Sequence, residues 1–126
     1  MSEETKKKVL IAEDEQTLLK TIEFTLKDKG YETIVATDGE EAFDLIKKHK
    51  PDVVLLDILM PRKSGLDVLK EMKADSELSD IVVLLLTNLS DEESISQGVT
   101  LGARGYFIKS DMTLEEVAEK VEEVVN

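Results

Sequence analysis

Residues 53–65 read VVLLDILMPRKSG: four apolar residues closed by Asp57, then a proline-containing loop that ends on Ser64 and Gly65. An apolar run without polar alternation, bounded by turn residues, reads as a strand buried on both faces. Ser64, with Asp67 three positions on, is a helix N-cap, and Leu66, Leu69 and Met72 then recur at helical spacing. The stretch is a strand, a loop and a helix, with a rigidly aimed carboxylate where the strand ends.

The same unit repeats outward in both directions. Apolar runs at residues 9–12, 33–36, 81–86 and 106–108 are each followed by a segment with helical spacing. Leu18, Leu19, Ile22 and Leu26 share one face, as do Ala42, Leu45 and Ile46, and then Leu114, Val117, Val121 and Val124. Asp38 and Thr113 are further N-caps, and Pro51 ends the second helix just before the third strand. Alternating β and α units require a parallel sheet with right-handed crossovers and helices on both faces, hence an α/β fold. The first, third and fourth runs are continuously apolar and belong in the centre. The second carries Glu32 and Thr33, and the fifth is short and aromatic, as edge strands are. The expected order is 2-1-3-4-5.

Length and composition set the frame. The 126 residues should shrink from about 20,400 to roughly 6,700 Å² of accessible surface on folding, enough for one core. With 41% hydrophobic and 35% charged residues, two prolines and six glycines, the chain is neither disordered nor collagen-like. One domain over residues 1–126, with its core at 7–125, is expected. Sixteen Lys and Arg against 28 Asp and Glu give a net charge of −12, which repels phosphate backbones and anionic headgroups. Neither direct nucleic-acid binding nor membrane binding is expected. Cysteine is absent, so disulfides and thiolate metal sites are excluded. Lys6, Lys7 and Lys8 lead into an apolar run too short for a signal peptide, which points to the cytoplasm.

In a sheet of this order the winding reverses between strands one and three, and ligands bind beyond the strand ends at such a switch point. The residues there are Glu13, Asp14 and Asp57. Converging carboxylates raise one another's pKa unless a cation shares the site. With no histidine or cysteine nearby, all-oxygen ligation suits Mg²⁺. Thr87 closes the fourth strand and Lys109 the fifth. A hydroxyl and an ammonium beside acids and a divalent cation can neutralise the oxygens of a phosphoryl group in transfer.

The acidic run Glu13, Asp14 and Glu15, the stretch Asp57, Ile58, Leu59, Met60 and Pro61 with Gly65, then Thr87, and finally Tyr106, Phe107, Ile108 and Lys109 together resemble one family. It is the receiver domain of two-component response regulators, of the single-domain CheY-like kind, matched over residues 7–125. Its flavodoxin-like (βα)5 fold is known to have the order 2-1-3-4-5, so the two readings are not independent. The resemblance implies that Asp57 is the phosphoacceptor. Asp14 would bind Mg²⁺ directly and Glu13 directly or through water, with Asp57 and the Leu59 carbonyl as further ligands. Thr87 and Lys109 would contact the aspartyl phosphate, and Thr87 and Tyr106 would form the switch, Tyr106 rotating inward. The phosphoryl group would come from a sensor histidine kinase or phosphotransfer protein. Output would pass to a downstream protein partner or an effector domain of a longer regulator. The family is a switch with weak autophosphorylation and autodephosphorylation, and a monomer or weak phosphorylation-dependent dimer is expected.

Four departures from the family pattern matter. Ser110 stands where proline is usual, often after a cis bond. A non-proline cis bond costs ~2.5–4 kcal/mol, so a trans bond or a rearranged loop at residues 110–112 is expected. Glu13 replaces a common aspartate, and Asn88 follows Thr87 where smaller residues are usual. Leu59 and Leu89 offer no polar side chain to an attacking water, so slow hydrolysis is expected. The fourth helix, over residues 91–101, contains Gly98, at roughly 1 kcal/mol relative to Ala, with Ser94, Ser96 and Thr100 adding to the penalty. Residues 88–104 are therefore expected to carry the conformational change. Glu115, Glu119, Glu122 and Glu123 read as a solvated face of the last helix, and His49 as a favourable charge at a helix end.

Three alternatives remain for the residues themselves. A degenerate receiver acting as a phosphorylation-independent interaction module is opposed by intact Asp57, Thr87 and Lys109. An aspartate-nucleophile phosphatase usually shows Asp, any residue, Asp, which Asp57, Ile58, Leu59 lacks. Flavin binding would need a phosphate-cradling loop after the first strand, where Glu13, Asp14 and Glu15 stand.

Overall fold

A computed structural model of the chain describes residues 6–88 and 92–125. The strands are β1 (Lys8–Ala12), β2 (Glu32–Ala36), β3 (Val53–Asp57), β4 (Val82–Thr87) and β5 (Gly105–Ile108). The helices are α1 (Gln16–Asp28), α2 (Gly39–His49), α3 (Gly65–Ala74), α4 (Glu92–Thr100) and α5 (Leu114–Val125). All strands pair in parallel in the order β2-β1-β3-β4-β5, as expected. Leu89, Asp91 and the extreme ends of the 1–126 span lie outside the described residues.

Continuous apolar strands build two cores at once because successive side chains point to opposite faces. Leu10, Val54, Leu56, Val83 and Leu85 meet Ala42 and Ile46 of α2 and Leu69 and Met72 of α3. Val9, Ile11, Val53, Leu55, Leu84 and Leu86 meet Leu19, Ile22 and Leu26 of α1 and Val117 and Val121 of α5. Every residue of β3 is buried, whereas β2 and β5 are half-exposed edges.

The predicted caps hold. Asp38 Oδ1 accepts the Glu41 amide at 2.8 Å and Ser64 Oγ the Asp67 amide at 3.1 Å. Thr113 and Glu116 cap one another reciprocally, Thr113 Oγ1 accepting at 3.1 Å and Glu116 Oε1 at 3.0 Å. His49 lies in the last turn of α2 with Lys47 and Lys48. Among the described residues no helix is long and apolar enough to cross a membrane.

The register carries the site residues to one edge. Asp57 lies opposite Leu86, and Thr87 opposite Ile108. The ladder continues past the strands, the Glu13 amide donating to the Ala36 carbonyl at 3.0 Å and the Lys109 amide to the Thr87 carbonyl at 2.7 Å.

Candidate functional site

Glu13, Asp57 and Thr87 are the polar residues buried at this edge, at 0%, 2% and 5% exposure. Lys109 enters from the end of β5, and its Nζ lies 2.7 Å from Glu13 Oε1 and 3.0 Å from Asp57 Oδ2. Asp57 Oδ1 accepts the Leu59 amide at 3.2 Å, and Glu13 Oε2 accepts the Glu15 amide at 3.0 Å. Glu13 Oε1 is buried and ion-paired, yet receives no well-directed hydrogen bond. Asp14 is solvent-exposed. Carboxylate oxygens of Glu13, Asp14 and Asp57 lie within 4.8 Å of one another. Three acids facing one ammonium, with an under-bonded buried oxygen among them, fit a hard divalent cation with oxygen ligands.

Electrostatics follow from this crowding. Burial pushes the Asp57 carboxyl up to about 7, Glu13 adding to the rise while Lys109 and the Leu59 amide oppose it. Burial alone would lower Lys109, but its close contacts with the Glu13 and Asp57 carboxylates and their charges outweigh that and raise it. The lysine is therefore a fixed cation.

Local backbone explains how the residues reach their places. The Gly65 amide donates to the Ile58 carbonyl at 2.8 Å, and a Cβ on Gly65 would collide with the Asp57 carbonyl. Glycine there lets α3 start against the end of β3. No peptide bond among the described residues is cis, so Lys109–Ser110 is trans. Amides of Asp111 and Met112 both donate to the Ile108 carbonyl, at 2.9 and 3.0 Å, and Met112 packs against the α1/α5 core. That turn delivers Lys109 to the acids without proline.

Other expected residues lie differently. Tyr106 points outward, 46% exposed. Leu59 exposes 67% of its surface, and Asn88 is exposed. Gly98 needs a corrected reading: it is the one described α4 residue that is buried, and a Cβ there would strike Leu85 Cδ1. Its role is close packing of α4 on β4, whatever it costs in helix propensity. Sequence reading missed that Gly39 lies against the Lys63 carbonyl, with no room for a Cβ. The Asp-Gly pair signalled a cap; the close approach comes from a loop distant in sequence.

Residues 9–122 match the response regulator receiver domain. The chain belongs to the response regulator receiver family. Two relatives, each named a probable transcriptional regulator ycf27, come from Guillardia theta and Porphyridium aerugineum. The first is 43% identical over 84% of this chain and 41% of its own length, the second 38% over 82% and 42%. The chain thus spans about two fifths of the curated relatives it matches. Among solved structures, the Vibrio cholerae chemotaxis protein CheY4 is 29% identical with a TM-score of 0.87, covering 95% of this chain and 99% of that one. A LuxR-family DNA-binding response regulator from Staphylococcus aureus is 30% identical, also at 0.87, with coverage of 95% and 99%. Receivers are signalling switches of two-component systems that work between histidine kinases and downstream effectors, and they generally bind Mg²⁺ at an acidic pocket.

Proposed function

We propose that this receiver is a phosphoacceptor switch in which Asp57 takes a phosphoryl group from the phosphohistidine of a sensor kinase or phosphotransfer protein. The observation that carries this reading is the buried Asp57 carboxylate held 3.0 Å from Lys109 beside two further acids. An Asp57 oxygen attacks phosphorus, an O–P bond forms and the P–N bond breaks. The electron pair of that bond stays on the donor imidazole, which carries a proton on its other ring nitrogen and so is released neutral. Hydrolysis reverses the gain: water attacks phosphorus, the O–P bond to Asp57 breaks, and inorganic phosphate leaves.

Lys109 offsets charge on the transferred group, and Thr87, at the end of β4, is placed to donate to its oxygens. Glu13, Asp14, Asp57 and the Leu59 carbonyl would hold Mg²⁺. Bound there, the ion would neutralise phosphoryl charge and keep Asp57 ionised. Thr87 and Tyr106 form the switch pair, Tyr106 having an exposed position to leave. We place the domain in the cytoplasm, as a monomer or weak phosphorylation-dependent dimer. The expectation of no nucleic-acid contact rests on the charge of these 126 residues and extends no further than they do.

The test is intact mass after incubation with Mg²⁺ and an acyl phosphate. The expected result is one phosphoryl adduct on the wild type, none on Asp57→Ala and none with chelator. An unmodified wild type would overturn the reading. The adduct should also decay slowly, because Leu59, two residues past Asp57, offers an attacking water no polar side chain.

A further inference from the structure

The loop from Ile58 to Ser64 contains the one described non-glycine residue outside a helix cap with positive φ, Arg62 at 72°. The Lys63 amide donates back to the Pro61 carbonyl at 2.8 Å, so Arg62 is the centre of a three-residue turn with an i to i+2 hydrogen bond. With positive φ that turn is the rare, strained form. Strain of this kind persists only where the surroundings over-determine it, and it gathers at ligand clamps.

Two charged side chains supply that determination. Arg62 Nε pairs with Asp38 Oδ2 at 3.2 Å, reaching the cap of α2. Lys63 Nζ is held by both carboxylate oxygens of Glu71 on α3, at 2.9 and 2.8 Å, and lies 5.1 Å from the centre of the Phe43 ring on α2. The Lys63 side chain is only 24% exposed. The Gly39 amide also donates to the Pro61 carbonyl at 3.3 Å, so the start of α2 is tied to the same turn.

We infer that Lys63 is a positioning residue: clamped between Glu71 and Phe43, it holds the strained turn at Arg62 and thereby fixes the backbone of Leu59 beside Asp57. The clamp joins α2, α3 and the acceptor loop into one rigid unit. It touches no reacting atom. Its effect on Mg²⁺ affinity rests on the proposed function, whereas its effect on the loop does not.

The test uses Lys63→Met, which keeps the stem over Phe43 and removes the charge, and the exchanged pair Lys63→Glu with Glu71→Lys. Amide hydrogen exchange in chelator reads the loop directly, at the Gly39, Lys63 and Gly65 amides. Calorimetric titration with Mg²⁺ reads the site. Lys63→Met should speed exchange at those three amides and weaken Mg²⁺ binding on the order of tenfold, the cost typical of removing a group that orients a ligand. The exchanged pair should restore both to within about twofold. Unchanged exchange in Lys63→Met, or a general loss of protection across β1 and β3 that the exchanged pair does not repair, would overturn the inference. If the wild type itself neither binds Mg²⁺ nor takes the adduct, the proposed function fails, and faster exchange at the three amides in Lys63→Met still supports the clamp on the loop. If only the variant is unaffected, the inference fails alone.

Discussion

The two loops that flank the acceptor are built to opposite specifications. After β3, two ion pairs tie the chain to α2 and α3 and hold a strained turn, and α3 then buries Val68, Leu69 and Met72. After β4, α4 buries only Gly98 among its described residues, and Val99 is 51% exposed. Each buried apolar side chain contributes about 1.5–3 kcal/mol, so α3 is anchored by several times the free energy that holds α4. The difference fits a division of tasks: the loop before α3 is held beside Asp57, while on the proposed function the α4 side would carry the response to Thr87 at low cost.

The largest effect follows from the rigid side's burial of Asp57. Its carboxyl is pushed from 3.8 to about 7, so between those values the native state binds a proton that the unfolded chain does not. Stability from this group is therefore present at low pH and lost as pH rises through about 7. The three-unit gap corresponds to on the order of 2–4 kcal/mol. Asp57→Asn, which cannot ionise, should match the wild type near pH 4 and exceed it by that amount at pH 8, in urea melts with chelator. Saturating Mg²⁺ should narrow the gap at pH 8. A difference that stays constant across this range would show that the rigid side imposes no such electrostatic cost.

Next in size is Gly65→Ala. Its Cβ would meet the Asp57 carbonyl and the Ile58 backbone, neither of which can move without displacing β3. A loss of about 3 kcal/mol in denaturant melts is expected, the upper end for overpacking, together with loss of the Asp57 adduct. A variant folded as stably as wild type and still phosphorylated would mean that the loop adapts, and the contrast with α4 would collapse.

Much of this was legible in the sequence because it rests on short-range chemistry. The apolar run ending at Asp57, the caps at Asp38, Ser64 and Thr113, and the polar edge strand starting at Glu32 each announce themselves within a few residues. Convergence of Glu13, Asp57, Thr87 and Lys109 followed once the strand order was known. The clamp was not legible: nothing local marks Arg62 and Lys63, and their partners Asp38 and Glu71 belong to different helices. Tyr106 was legible as a position but not as a rotamer, since an edge-strand aromatic can face either way. Ser110 signalled a departure, but the turn onto the Ile108 carbonyl that compensates for it depends on Met112 finding the core.

Gly98 is where sequence and packing disagree on sign, and it gives the smallest effect. By helix propensity alone, Gly98→Ala should stabilise α4 by roughly 1 kcal/mol. The contact with Leu85 Cδ1 opposes this, because Leu85 is fully buried in the α2/α3 core and overpacking costs about 1–3 kcal/mol. A net loss of about 1 kcal/mol is expected. Leu85→Val removes the atom in the way and itself costs about 1 kcal/mol, as a deleted buried methylene does. In that background Gly98→Ala should turn stabilising, a reversal of sign that a double-mutant cycle measures as coupling between the two sites. If Gly98→Ala stabilises the wild type as well, α4 does not lie on β4 as closely as described here. Its freedom would then come from loose packing as well as from its lack of buried apolar side chains.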